Sequence, residues 1–222
     1  MPLIRFIPRM VPVLLIGLVA SCLLGCQSVY YKTMDQLGYH KREILVDRVQ
    51  DARSAQKDAK EQFESALDRF TTVLNTPGGE LQDKYLQLND ELKQSESRAE
   101  AVHDRVDAVE DVAEALFDEW EAELEQYSNS GLRQQSKRKL DQTRRQYDQL
   151  IRAMKRAEAK IDPVLAAFRD QVLFLKHNLN ARAVASLQSE LSSIETDVSR
   201  LIRDMEASIR EADMFLSTMA KG

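Results

Sequence analysis

The 222 residues are 30% charged and 6% aromatic and include only seven Gly and five Pro, a composition that belongs to long helices or coiled coils. The 31 basic and 36 acidic residues give a formal net charge of −5, which opposes nucleic acid as a partner. The two cysteines, Cys22 and Cys26, lie close together near the N-terminus, so no disulfide staple is expected in the rest of the chain.

The N-terminal region reads as an export signal. Arg5 and Arg9 precede an apolar or small-residue run from Val11 to Leu24. The run is shorter than the roughly 20 residues of a spanning helix and suits a cleaved signal. Leu23-Leu24-Gly25-Cys26 closes it and resembles the bacterial lipobox. In that reading the Cys26 sulfur is the nucleophile that takes the lipid, and small Gly25 exposes the bond to be cut. Val19-Ala20-Ser21-Cys22 is a competing box, but cleavage there leaves apolar Leu23 and Leu24 at the mature start, whereas polar Gln27 and Ser28 follow Cys26. By resemblance to the usual sorting rule, Gln27 in place of Asp directs such a protein to the periplasmic face of the outer membrane rather than the inner one. The expected organisation is a signal over residues 1–25, a short tether over 26–34 and a helical bundle over 35–222.

Four heptad segments follow. The first, expected as a helix over 35–75, places Leu45, Val49, Ala52, Gln56, Ala59, Phe63, Ala66, Phe70 and Val73 at alternating four- and three-residue steps, and Pro77-Gly78-Gly79 breaks it. The second, over 80–127, runs from Leu81 and Tyr85 through Leu88, Leu92, Ser95, Ala99, Val102, Val106, Val109, Ala113, Leu116 and Trp120 to Glu123 and Tyr127. Ser128-Asn129-Ser130-Gly131 ends it and offers caps for the next helix.

The third segment, over 132–177, carries Leu140, Thr143, Tyr147, Leu150, Met154, Ala157, Ile161, Val164 and Phe168 in unbroken register. Pro163 falls inside it and predicts either a kinked continuous helix or a fresh helix starting at the proline. Asn180 is a candidate cap for the fourth, over 181–219, whose seam runs Leu187, Leu191, Ile194, Val198, Leu201, Met205, Ser208, Ala212, Phe215 and Met219. A third apolar position widens the seams in places. The fold class is therefore all-α, an elongated antiparallel bundle of about four long helices with coiled-coil packing. Helices of roughly 40 to 48 residues would reach about 60 to 70 Å at 1.5 Å per residue.

Charge is unevenly partitioned. Glu80 to Gln126 holds 16 acidic and 4 basic residues, while Leu132 to Lys160 holds 10 basic and 3 acidic. Folding this hairpin should bring Asp118, Glu119, Glu121, Glu123 and Glu125 within reach of Arg133, Lys137, Arg138, Lys139, Arg144 and Arg145 and so select this pairing of helices. The alternative use of the basic segment is capture of an external anion, lipid headgroup or envelope polymer, with Arg144, Arg145, Arg152 and Lys155 as the candidate residues. Only Tyr147 interleaves with them, so base stacking has little support.

Signatures of catalysis are missing from the sequence. The histidines His40, His103 and His177 lie in different segments. Glu100 and His103 form the one helical Glu-x-x-His spacing, where a dimetal bundle site needs two pairs and further inward carboxylates. Both are expected on a solvated face. No Gly-Lys dipeptide completes a phosphate loop, and no G-x-S-x-G elbow occurs. No metal, cofactor or enzymatic activity is expected.

Over residues 24–218 the chain resembles an uncharacterised family of proteobacterial lipoproteins, catalogued as a domain of unknown function and sometimes labelled as DNA repair ATPases. The resemblance rests on the string His40 to Val49, on Gly78-Gly79-Glu80-Leu81-Gln82-Asp83-Lys84-Tyr85, on Leu116-Phe117-Asp118-Glu119-Trp120, and on Leu175 to Asn180 with Leu191-Ser192-Ser193-Ile194-Glu195. It implies no assigned activity or site. The ATPase label fits coiled-coil similarity alone, because no phosphate loop is present. The functional expectation is a non-enzymatic envelope lipoprotein, held at the membrane by its lipid, that serves as a scaffold for a protein partner. Its heptad seams could also close between copies into a homo-oligomer.

Overall fold

The computed structural model describes residues 41–76, 80–178 and 180–220. The signal, the tether, Cys26 and the Pro77-Gly78-Gly79 break lie outside them. The chain divides into two compact units, Met1–Ile44 and Leu45–Gly222, and the bundle described below is the second.

Among the described residues five helices follow in order: α1 Lys41–Asn75, α2 Leu81–Leu124, α3 Ser130–Glu158, α4 Ile161–His177 and α5 Ala181–Met219. Every seam residue of the first segment from Leu45 to Val73 is buried, including Gln56, and so is every seam residue of the fourth from Leu187 to Met219. A repeat of seven keeps one stripe facing neighbouring helices, and removal of that stripe from water is what holds such long helices together. At the start of α2 Lys84 is buried while the seam residues Leu81 and Tyr85 are half-buried, and the pattern slips again at the end of α2. There Leu124 is buried, whereas Glu123 and Tyr127 are exposed, so the last turn follows a spacing of four from Trp120.

Caps set the boundaries. The Asn129 side chain accepts from the Gly131 and Leu132 amides at the start of α3, and Asn180 accepts from the Ala183 amide at the start of α5. Each satisfies donors that a helix start leaves orphaned. The far end of α1 is closed differently. Lys84 is only 7% exposed, and its Nζ donates to the Val73 and Thr76 carbonyls at 2.7 and 2.6 Å. A cation is thereby placed on the negative end of the α1 dipole.

The third segment is two helices, with Ala159 and Lys160 between them, and Pro163 is the third residue of α4 rather than its first. The break falls where a proline dictates. Pro163 has no amide to give the Ala159 carbonyl four residues back, and its ring crowds that carbonyl. The Lys160 amide turns instead to the Ala157 carbonyl at 3.1 Å, a tighter closure. Ala157, Ile161, Val164 and Phe168 stay buried across the break, so both helices lie on one seam.

Ion pairs give the pairing and direction of the helices. Asp58 meets Arg98 and Asp51 meets Arg105, so a heptad back along α1 matches a heptad forward along α2. Lys60 with Glu206 and Arg53 with Asp213 place α5 antiparallel on the other flank of α1. Arg169 with Glu96 joins α4 to α2, and Lys160 with Asp204 joins the break to α5. The unit is thus an antiparallel four-stranded bundle in which α3 and α4 share one strand. Phe168 crosses its middle, stacked on Phe70 with centroids 4.6 Å apart and on Phe63 at 6.3 Å.

Candidate functional site

The hairpin of acidic α2 and basic α3 concentrates the charge, and its geometry sorts the basic residues into two sets. The first set faces α2. Arg144 contacts Glu121 at 2.5 Å while its guanidinium lies 4.9 Å from the Phe117 ring centroid. Phe117 in turn meets Tyr147 edge-on at 5.4 Å. Arg133 pairs with Glu125 beside the turn, and the Trp120 indole donates to Ser136 Oγ at 2.8 Å. Lys155 sits among three carboxylates, Asp107 at 3.2 Å, Glu110 at 2.7 Å and Glu158 at 3.3 Å. Burial alone would lower the Lys155 pKa, but hydrogen bonds to Glu110 and Asp107 and the charge of Glu158 outweigh it and hold the ammonium above the usual lysine range. Tyr147 is likewise pushed up, by burial first and by the neighbouring Glu110 charge second.

The second set points away from the seam. Arg138, Arg145 and Arg152 are exposed, fall seven residues apart at the position farthest from the core, and make no ion pair among the described residues. Arg156 is also exposed and makes no ion pair among the described residues. Lys137 turns to its own helix and meets Asp141 at 3.5 Å. Among the described residues the expected hairpin pairing therefore forms at Arg133 and Arg144 and not at Lys137, Arg138, Lys139 or Arg145. Of the four residues considered for an external anion, Arg144 and Lys155 are taken up by α2, and Arg145 and Arg152 face solvent. Arg138 belongs with the latter pair, and its place seven residues before Arg145 was the signal for it.

The acidic helix shows the same division. Asp104, Asp111 and Asp118 are exposed, lie seven residues apart and make no ion pair among the described residues. Across the seam Lys155 meets Asp107 and Glu110, and Arg144 meets Glu121, so Asp111 lies level with Arg152 and Asp118 level with Arg145.

His103 departs from the solvated face expected of it. Its Nδ1 lies 2.7 Å from Glu158 Oε1, and its Nε2 lies 3.9 Å from Asp162, so it bridges α2 to the α3–α4 break. Glu100 is exposed. Among the described residues no group of three or more His, Cys, Asp or Glu is placed to hold a metal ion. Nor is any of their helices long and apolar enough to cross a membrane.

These features define an all-α bundle protein with heptad-packed antiparallel helices. Its sequence matches the family described as Protein of unknown function (DUF2959) over residues 30–219, and the chain belongs to that family. No curated protein and no solved structure matches it.

Proposed function

We propose that the chain is an envelope lipoprotein, anchored through Cys26, whose helical bundle acts as a scaffold or partner-binding module and not as an enzyme. The observation that carries the reading is Leu23-Leu24-Gly25-Cys26 at the end of an apolar run, with polar residues directly after it. The bundle supports it from the other side. Its core is a continuous heptad seam, and long charged helix faces are what it offers to its surroundings.

A second reading gives the basic face of α3 an anionic membrane surface or envelope polymer to bind. Exposed Arg145 and Arg152 favour it, while Arg144 and Lys155 already have carboxylate partners.

Membrane fractionation of the wild-type chain beside Cys26→Ser tests the anchor. Wild type should travel with the membrane and the variant should be released to the soluble fraction. A wild-type chain that is soluble with an unmodified Cys26 contradicts the reading.

A further inference from the structure

Two stripes of opposite charge are left over on adjacent helices. On α3 they are Arg138, Arg145 and Arg152; on α2, Asp104, Asp111 and Asp118. Each stripe is exposed, each repeats every seven residues, and none of the six side chains is in an ion pair among the described residues. On a helix a heptad step is about 10.5 Å, so the two ladders have equal rungs. They also run in opposite directions, because α2 and α3 are antiparallel.

Within one hairpin the stripes cannot meet, since both occupy the position farthest from the seam. Between two hairpins they can. When the α2–α3 faces of two copies are set together about a two-fold axis parallel to the bundle, α2 of each copy lies against α3 of the other. Heights along the axis are unchanged by such a rotation. Asp111, level with Arg152, is then brought to Arg152 of the second copy, and Asp118 is brought to Arg145. The two-fold doubles both pairs, as an isologous contact must.

We propose that the outer face of the α2–α3 hairpin is a self-association surface whose partner is a second copy of this chain in parallel orientation. Charge complementarity favours this occupant over an anionic surface. A negatively charged membrane would meet the arginine stripe and be repelled by the aspartates at the same height on the neighbouring helix, whereas a second copy satisfies both. Asp141 and Asp148, which lie between the arginines on α3, weaken attraction to a simple anion in the same way. A parallel pair also keeps corresponding ends of the two bundles together. The inference rests on the hairpin geometry alone and not on the anchor at Cys26, so it fails or stands separately from the scaffold reading.

The test is sedimentation velocity of the full chain in density-matched detergent. It uses wild type, Arg145→Glu with Arg152→Glu, and Asp111→Arg with Asp118→Arg, each checked for helical content by circular dichroism. Wild type should dimerise, with a dissociation constant that rises at least about tenfold between roughly 0.05 and 0.5 M salt as screening shortens the reach of charge. Each double variant alone should lose dimerisation by about tenfold or more. An equimolar mixture of the two should recover it, because every acidic stripe then meets a basic one. A wild-type monomer, a charge-reversed variant that dimerises as wild type does, or a mixture that stays monomeric overturns the proposal. So does salt-sensitive binding of the wild-type monomer to vesicles rich in anionic lipid that Arg145→Glu with Arg152→Glu abolishes, which would assign the stripe to the membrane.

Discussion

Phe168→Ala tests the packing at the centre of the bundle. The ring is wholly buried and stacks on Phe70 at 4.6 Å and Phe63 at 6.3 Å, which joins α4 to α1 across the core. Truncating a buried Phe costs about 3–5 kcal/mol from lost transfer energy and the cavity left behind. Aromatic pairs add roughly 0.5–1.5 kcal/mol to area burial, so this site should fall in the upper half of that range, about 4 kcal/mol. Against a typical stability of about 5–15 kcal/mol that is a large share. Urea unfolding followed by circular dichroism should show the midpoint falling with the slope unchanged. Phe168→Leu keeps most of the volume and loses the stacking, and should cost about 1–2 kcal/mol. A Phe168→Ala cost below about 1 kcal/mol would mean that the ring is not closed in by α1, and the register of α4 would have to be redrawn.

Other sites give independent checks. Gln56 is fully buried on the α1 seam and neither end of its amide is hydrogen-bonded among the described residues, so Gln56→Met should stabilise the chain by about 1–3 kcal/mol in the same urea assay; a loss of stability would show that the amide has a partner. Lys84→Met removes the two charge-assisted bonds to Val73 and Thr76 and should cost about 2–3 kcal/mol, with faster amide exchange in the last turn of α1. An unchanged urea midpoint would contradict that closure. The Lys60 hydrogen bond and charge hold Glu206 below the usual carboxylate range, so its folded value lies below its unfolded one. The contribution of the pair is present above the unfolded value and is lost as pH falls through the folded one. The stability gap between wild type and Glu206→Gln should therefore close on acidification, and a gap that persists at the acid end would refute the linkage.

The sequence reads best where one force dominates. From Leu45 to Val73 and from Leu187 to Met219 the seam is legible because a repeat of seven leaves a long helix one way to bury its apolar stripe. Asn129 and Asn180 were legible as caps for a local reason: a short carbonyl side chain at a helix start meets the first free amides. Legibility fails where tertiary packing chooses among equals. Lys84 lies beside the seam position Tyr85, and nothing in its neighbours tells that the end of α1 lies within reach. The break at Ala159 and Lys160 is displaced from Pro163 because the proline acts on the carbonyl four residues earlier. Among the basic residues of α3, composition marked the helix but not the division of labour. That needs the heptad position of each residue, which sends Arg144 and Lys155 to the acidic helix and Arg138, Arg145 and Arg152 to solvent.

The measurement that bears most directly on the account is the mass of the N-terminal peptide of the chain purified from membranes. That peptide should begin at Cys26 and carry lipid on its sulfur. A peptide that begins elsewhere, or one that begins at Cys26 with a free thiol, would contradict it.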